Sequence, residues 1–341
     1  SGRPRRPAGP LAGGGLRPRP AAAPPAFTES APAAGDAALQ ATTTAELRLR
    51  IADVDLRLRV AGDLLAARLL PALAPLGVSS GAAPDLDITA FDTAASGVGL
   101  PPPPWPPGAY RPGVLSLVDV RGGRGFFWTR DAAALPRWET GAPLRTLLRL
   151  ALRTRGLQLV HGAVVGDDHA GVLIAGVGGS GKSTSALACA LAGLGYLGDD
   201  YCVLEPSASP RAHALYAFGK AGPATLRLLP ELAGAVVPGG PTPEGKELVD
   251  VEAARPGALR HRAALRAIVL PRVAAATGAP VRISAGEALV AIAPTTLLQL
   301  PGSGAADLSA MTALSRGLPA YRLAHGPARA HVGAAGRAVL P

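Results

Sequence analysis

Lysine is nearly missing from this chain. Of 34 basic residues only Lys182, Lys220 and Lys246 are lysine; the rest are arginine. Arg serves wherever positive charge alone suffices, so a retained Lys marks a candidate position for a compact ammonium that a planar guanidinium does not replace. Cysteine is almost as scarce, with Cys189 and Cys202 alone. That excludes a disulfide framework and a zinc-ligand spacing, and both cysteines read as small core residues. Aromatic residues make up 4% of the chain, so no ring-studded basic stripe offers nucleic acid a stacking surface, and no nucleic-acid partner is expected. No run approaches the roughly 18–20 apolar residues of a membrane span. The N-terminus has arginines but lacks the apolar stretch of a signal peptide. A cytoplasmic protein with no membrane partner is expected.

What the chain has in quantity is Ala, Gly, Pro and Arg. Its 341 residues suggest two domains, with a core drawn from Leu, Val and Ile. The net charge is +10, and half of that excess sits in residues 1–20, which hold five arginines and no acid. The mildly basic remainder suits anionic substrates. Residues 1–44 are rich in Pro, Ala, Gly and Arg without a period, as in a disordered tail. Residues 45–150 read as a small, mostly antiparallel α+β domain. Glu46–Ile51 and Val54–Val60 alternate apolar with charged residues and form a hairpin turning near Ala52. Leu64–Leu76 reads as a helix despite Pro71, Asp85–Phe91 as a strand, and the prolines after Leu100 as a surface loop. Val114–Val120 and Phe126–Trp128 flank a second hairpin, and Pro143–Arg155 is an amphipathic helix.

Residues 151–341 form the second domain, with an α/β layout. Leu157–Val165 reads as one strand and Val172–Ala175 as the next. Then Gly176-Val177-Gly178-Gly179-Ser180-Gly181-Lys182-Ser183-Thr184 matches G-x-x-x-x-G-K-S and leads into a helix ending near Ala192. Strand, glycine loop and helix in this order make a P-loop: backbone N–H groups cradle phosphates at the helix N-terminus, Lys182 reaches the β- and γ-phosphates, and the Ser183 hydroxyl ligates Mg²⁺. ATP and Mg²⁺ are the expected cofactors. If the two strands pair with Val165 opposite Val172, His161 falls opposite Gly176. Ten or eleven helical residues carry the chain roughly 16 Å from the loop. The extended Tyr196–Asp200 segment returns a similar distance, bringing Asp199 and Asp200 back level with it. A P-loop kinase needs one carboxylate for the metal and one for the proton of the attacking hydroxyl, so the pair are candidates for both. Lys220 and Lys246 are candidates for the same site by their rarity. Farther on, Leu265–Leu270 is a strand stopping at Pro271, Ala285–Ala293, Thr295–Leu300 and Asp307–Leu314 are helical, and Ala320–Leu323 is an edge strand.

The run His161-Gly, Gly171-Val-Leu-Ile-Ala-Gly, Gly181-Lys182-Ser183 and Gly195-Tyr-Leu-Gly-Asp199-Asp200 resembles the catalytic domain of the HPr kinase/phosphorylase family. The resemblance is close over about residues 157–205 and implies a P-loop kinase domain of the HPr kinase/phosphoenolpyruvate carboxykinase type. It implies that one of Asp199 and Asp200 is a general base for a serine hydroxyl, that the other assists the metal, and that His161 is the base's neighbour. Asp200 is assigned to the metal with Ser183. It also suggests a homo-oligomer. The family's Glu-x-Arg-Gly-x-Gly signature is absent; the corresponding region holds Lys220 and Gly245-Lys246-Glu247. The chain also resembles uncharacterised serine-kinase relatives, some of which are similar to kinases of ribosomally made peptides such as lasso-peptide precursors, so the expected partner is a peptide or small protein with a serine hydroxyl. A small-molecule kinase of the same fold and a nucleotide-sensing module are the alternatives.

Overall fold

Strict apolar alternation at the start of the folded chain produces a hairpin, as expected. In the computed structural model, which describes residues 42–100, 108–274, 278–300 and 303–325, β1 (Thr43–Ile51) pairs antiparallel with β2 (Val54–Ala61), and Ile51 faces Val54 across the turn. The expected tail at 1–41 and the proline loop at 101–107 lie outside the described residues. Pro71 does end the next helix: α1 spans only Asp63–Leu69, and the chain continues as turns to a short 3₁₀ segment at Ala74–Leu76. β3 (Leu86–Asp92), β4 (Gly108–Arg111), β5 (Val114–Asp119) and β6 (Arg124–Thr129) complete a six-stranded sheet in the order β1-β2-β3-β6-β5-β4. Two of its pairings, β2–β3 and β3–β6, are parallel rather than antiparallel. The one-turn helix α2 (Arg137–Gly141) and the amphipathic α3 (Arg145–Arg153) follow.

The second sheet holds nine strands. The single strand expected over 157–165 is broken at Gly162 into β7 (Gln158–His161) and β8 (Ala163–Gly166). A Cβ at Gly162 would lie 3.1 Å from a Leu173 methyl and 3.2 Å from the Ile174 carbonyl, so a larger residue at the break would have to push its neighbours aside. β8 pairs with β9 (Gly171–Ile174) in the expected register, Val165 opposite Val172. The chain continues through α4 (Lys182–Leu191), β10 (Tyr196–Gly198), β11 (Tyr201–Glu205), β12 (Arg211–His213), β13 (Phe218–Ala221), β14 (Glu247–Asp250) and β15 (Arg262–Val273). β16 (Val281–Ile283), α5 (Ala285–Gln299), α6 (Ala305–Gly317) and β17 (Ala320–His325) complete it.

The sheet order β10-β8-β9-β15-β12-β11-β7 places β7 at one end and β8 second from the other although one residue joins them, so the sheet curls to bring its two sides together at Gly162. β13 and β14 form a separate two-stranded sheet. β15 does not stop at Pro271. Its residue 269 carbonyl accepts from Ala175 N on the β9 side, and β9 pairs no farther than Val269, so the nitrogen of Pro271 on that side owes no partner. The two helical segments expected around Pro294 are one helix, α5. The carbonyl that Pro294 leaves unbonded belongs to Val290, an exposed residue. β17 lies between β15 and β16, so it is not an edge strand. The fold is thus mixed α/β with multi-stranded sheets. One hydrophobic cluster runs from Leu49 and Leu56 of the first sheet through Leu147 of α3 to Leu173, Ile268 and Ala320 of the second.

Among the described residues no helix is long and apolar enough to cross a membrane. α3 is fastened to α6 by a buried ion pair, Arg149 to Asp307 at 3.1 Å, with Ser303 Oγ accepting from Arg149 at 2.7 Å. Asp307 also caps its own helix by accepting from Gly304 N at 2.8 Å. Removing one partner strands the other charge in the core. Asp307→Ala is therefore expected to lower unfolding free energy by about 3–5 kcal/mol in urea titration, whereas an Arg149→Met, Asp307→Leu double replacement recovers most of it.

Candidate functional site

The glycine loop needs backbone conformations that side chains rarely adopt. Gly176, Gly179 and Gly181 have φ of 141°, 80° and 97°, and a Cβ at Gly176 would lie 2.8 Å from Ser180 Oγ. Gly181 immediately precedes α4, so the loop ends at the N-terminus of a ten-residue helix. Lys182 folds back over the loop. Its Nζ donates to the carbonyls of Gly176 at 2.8 Å and Val177 at 3.1 Å. Burial holds the Lys182 ammonium below its ordinary value, as does the like charge of Lys246, against the pull of Asp200 and Asp199. Gly178 has no atom within 4 Å of its Cβ position, and Val177 is exposed, so the loop is open on its outer side. Thr184 Oγ1 meets Thr225 Oγ1 at 2.7 Å, tying the first turn of α4 to the segment after β13.

The curl of the second sheet brings the other residues together. β10 pairs with β8 and β11 with β7, so the chain crosses between the sheet's two sides twice, once at Gly162 and once at Asp199-Asp200. His161 therefore pairs with Tyr201 on β11 rather than standing opposite Gly176. The expected register holds for β8 and β9, but Gly162 turns the chain away before His161. The histidine still reaches the acids: His161 Nε2 lies 3.2 Å from Asp200 Oδ1. Thr296 Oγ1 of α5 accepts from His161 N at 3.1 Å.

Lys220 of β13 serves both carboxylates. Its backbone N–H donates to Asp199 Oδ2 at 2.9 Å, and its Nζ donates to Asp200 Oδ2 at 2.7 Å. The adjacent acids are pushed in opposite directions. Burial raises Asp199 to about 6, and the negative charge of Asp200 adds to that, while the Lys220 N–H and the Ser183 hydroxyl oppose it. Burial acts on Asp200 too, but the His161 and Lys220 contacts outweigh it and hold the carboxyl well below the usual range. Asp199 Oδ1 is buried and has no hydrogen-bond partner. It belongs to the carboxylate that the Ser183 hydroxyl faces.

These donors fit a small, hard dication. Mg²⁺ bound to phosphates takes one or two protein oxygens and completes its shell with water and phosphate. Among the described residues no group of three His, Cys, Asp or Glu side chains could hold a metal by itself. The unpartnered Asp199 Oδ1 and the Ser183 hydroxyl supply two such oxygens, whereas both oxygens of Asp200 already have partners. The geometry thus favours Asp199 over Asp200 as the carboxylate for a metal.

All three lysines of the chain converge here. Lys182 feels Lys246, and Lys220 holds Asp200. Lys246 sits on a turn that Thr242 closes, Thr242 N donating to the Lys246 carbonyl at 2.7 Å. The acid of that turn whose charge meets Lys220 and Asp200 is Glu244. Glu247, in the region where the family signature is absent, lies on β14 paired with Ala221. Residues that no motif signals also adjoin the site. The Tyr201 ring packs 5.4 Å from His161, and its hydroxyl accepts from Arg145 at 2.8 Å and donates to Gln299 at 3.2 Å. Tyr201 directly follows Asp200, but no motif marks it, and nothing in the sequence points to Arg145.

Among solved structures, the chain is similar to the HPr(Ser) kinase/phosphatase from Coxiella burnetii. The likeness is 13% identity over 50% of this chain and 79% of that one, with a TM-score of 0.27. A likeness so distant carries no weight for the chemistry, which rests on the residues above. No family model and no curated protein matches the chain.

The two acids make opposite contributions to stability. The Asp199 carboxyl binds its proton more tightly folded than unfolded, so its contribution is full below about pH 4 and is lost as pH rises through about 6. At pH 8 Asp199→Asn is expected to stabilise the ligand-free protein, by on the order of 2 kcal/mol. Asp200 is depressed, so its contribution is present above the usual carboxylate range and lost on acidification. Asp200→Asn is expected to destabilise at pH 8. Thermal denaturation of the two variants at pH 8 gives shifts of opposite sign; shifts of the same sign contradict the electrostatics described.

Proposed function

We propose that the chain is an ATP-dependent phosphotransferase that phosphorylates a serine-type hydroxyl on a peptide or small protein. The observation that carries this reading is the division of labour between adjacent acids. Asp199 is buried beside Ser183 with an oxygen unused, and Asp200 is clamped by His161 and Lys220. A module that only sensed nucleotide has no need for the second, clamped carboxylate.

Bound Mg·ATP supplies the phosphoryl group and neutralises its developing charge. Asp199 and Ser183 hold the metal in this reading. Lys182 exchanges its two carbonyl partners in the loop for phosphate oxygens, and the N–H groups of the loop and of the first turn of α4 bind the rest. Asp200 accepts the proton of the attacking hydroxyl at its Oδ atoms. A carboxylate has about four lone-pair positions, and His161 and Lys220 occupy one on each oxygen, leaving room for the substrate O–H. A depressed carboxylate is a weak base, which suits a loose transition state in which the hydroxyl loses its proton late and positioning matters most. His161 and Lys220 fix the direction of that carboxylate. Lys246 and Glu244, on the turn facing the glycine loop, border the same space.

With ATP, Mg²⁺ and a panel of serine peptides, the wild-type protein is expected to transfer phosphate to serine. Lys182→Ala weakens ATP binding. Asp200→Asn keeps ATP binding and loses transfer by about 10²–10⁴-fold. Lys220→Arg lowers transfer as well, because a guanidinium is larger than the ammonium that Asp200 holds. Transfer by Asp200→Asn at the wild-type rate sinks the assignment of the base.

A further inference from the structure

A column of alternating cations and rings leads from solvent to Asp200. Arg111 of β4 lies over the Trp138 ring at 4.4 Å, and Arg145 of α3 lies over the same ring at 4.9 Å. Arg145 also lies 4.9 Å from the Tyr201 ring, which packs 5.4 Å from the ring of His161. His161 in turn touches Asp200. The first sheet thus contributes Arg111, the connecting helices contribute Trp138 and Arg145, and the second sheet contributes Tyr201, His161 and Asp200.

Stacking engages the faces of a guanidinium and leaves its N–H edge free for acceptors in its plane. Few acceptors are supplied. Glu139 takes one bond from Arg111 at 3.2 Å, and its other oxygen accepts from Leu144 N at 2.9 Å. Arg145 donates once, to the Tyr201 hydroxyl, and its Nε is buried with no partner. Two guanidinium groups therefore share one carboxylate, and burial pushes that carboxyl up, further weakening its claim as a counter-ion. The outer member is accessible: the Arg111 side chain is 42% exposed. An excess of forked donors beside a base that awaits a hydroxyl is what an acceptor with carboxylates near its serine requires.

We propose that the Arg111–Trp138–Arg145–Tyr201 column is the acceptor subsite and that it selects an acidic peptide. The serine hydroxyl is placed at Asp200, and Asp or Glu side chains a few residues away lie along the two arginines. The position of the hydroxyl rests on the phosphotransferase reading, so peptide binding is measured apart from transfer.

Fluorescence polarisation of labelled serine peptides with Asp and Glu flanks, and of isosteres with Asn and Gln in those places, provides the test. The acidic peptide is expected to bind wild-type protein at least about tenfold more tightly, with a preference that falls as salt rises. Arg111→Gln is expected to cut that ratio at least about threefold, and Arg145→Gln to cut it further. Arg145 is half-buried, so its variant is read only if circular dichroism shows it folded; Arg111→Gln and the salt series on wild-type protein decide the matter without it. Equal binding of the two peptides overturns the proposal, and so does a ratio that Arg111→Gln leaves unchanged. A retained acidic preference without phosphate transfer upholds the column and overturns the phosphotransferase reading.

Discussion

Two carboxylates on adjacent residues, Asp199 buried and Asp200 part-buried, cannot stand so close together away from water unless cations and donors are brought to them. Asp199 and Asp200 impose that constraint, and much of the surrounding structure answers it. Lys220 supplies a backbone donor to one and an ammonium to the other; His161 supplies an imidazole; Ser183 faces what is left. The result is asymmetric. Asp200 is held ionised by partners, while Asp199 is left with an oxygen unpaired and a carboxyl raised to about 6. A fold selected for stability alone would satisfy both. One oxygen of the buried Asp199 carboxylate, beside the Ser183 hydroxyl at a helix N-terminus, is left without a partner.

Chain topology explains how the residues meet. His161 and Asp200 are far apart in sequence, and a straight β7–β8 strand would carry them to different neighbours. Gly162 breaks that strand, and the Asp199-Asp200 pair sits at the parallel break between β10 and β11. Both breaks occur where the curled sheet closes on itself, so the residues flanking them become neighbours. The glycine loop joins the group because β9 lies beside β8, and α4 leads away from it.

Local signals were legible wherever one face of an element met water or a motif required a particular backbone. The β1–β2 hairpin, the β8–β9 register and the strand-loop-helix around Lys182 follow from alternation, a hairpin turn and glycine conformation. The scarcity of lysine proved informative in the same way: Lys182, Lys220 and Lys246 converge, although they are spread over 65 residues of sequence. Proline was misleading in both directions. Pro71 ends α1, yet β15 runs through Pro271 and α5 through Pro294, because at each of the latter the lost hydrogen bond falls where no strand or buried group needs it. The surroundings of His161, beyond the predicted grouping with Asp200 and Lys220, were the least legible part. Tyr201 and Arg145 owe their place to the packing of α3 against the second sheet, which no local pattern records.

The central claim is that Asp199 and Ser183 complete a Mg²⁺·nucleotide site on the glycine loop. Calorimetric titration of ATP into wild-type protein and Asp199→Asn, with Mg²⁺ present and with it chelated, tests this most directly. The account predicts that Mg²⁺ tightens ATP binding to the wild type and that Asp199→Asn loses this gain while still binding free ATP through the loop and Lys182. Equal tightening by Mg²⁺ in both proteins would contradict it.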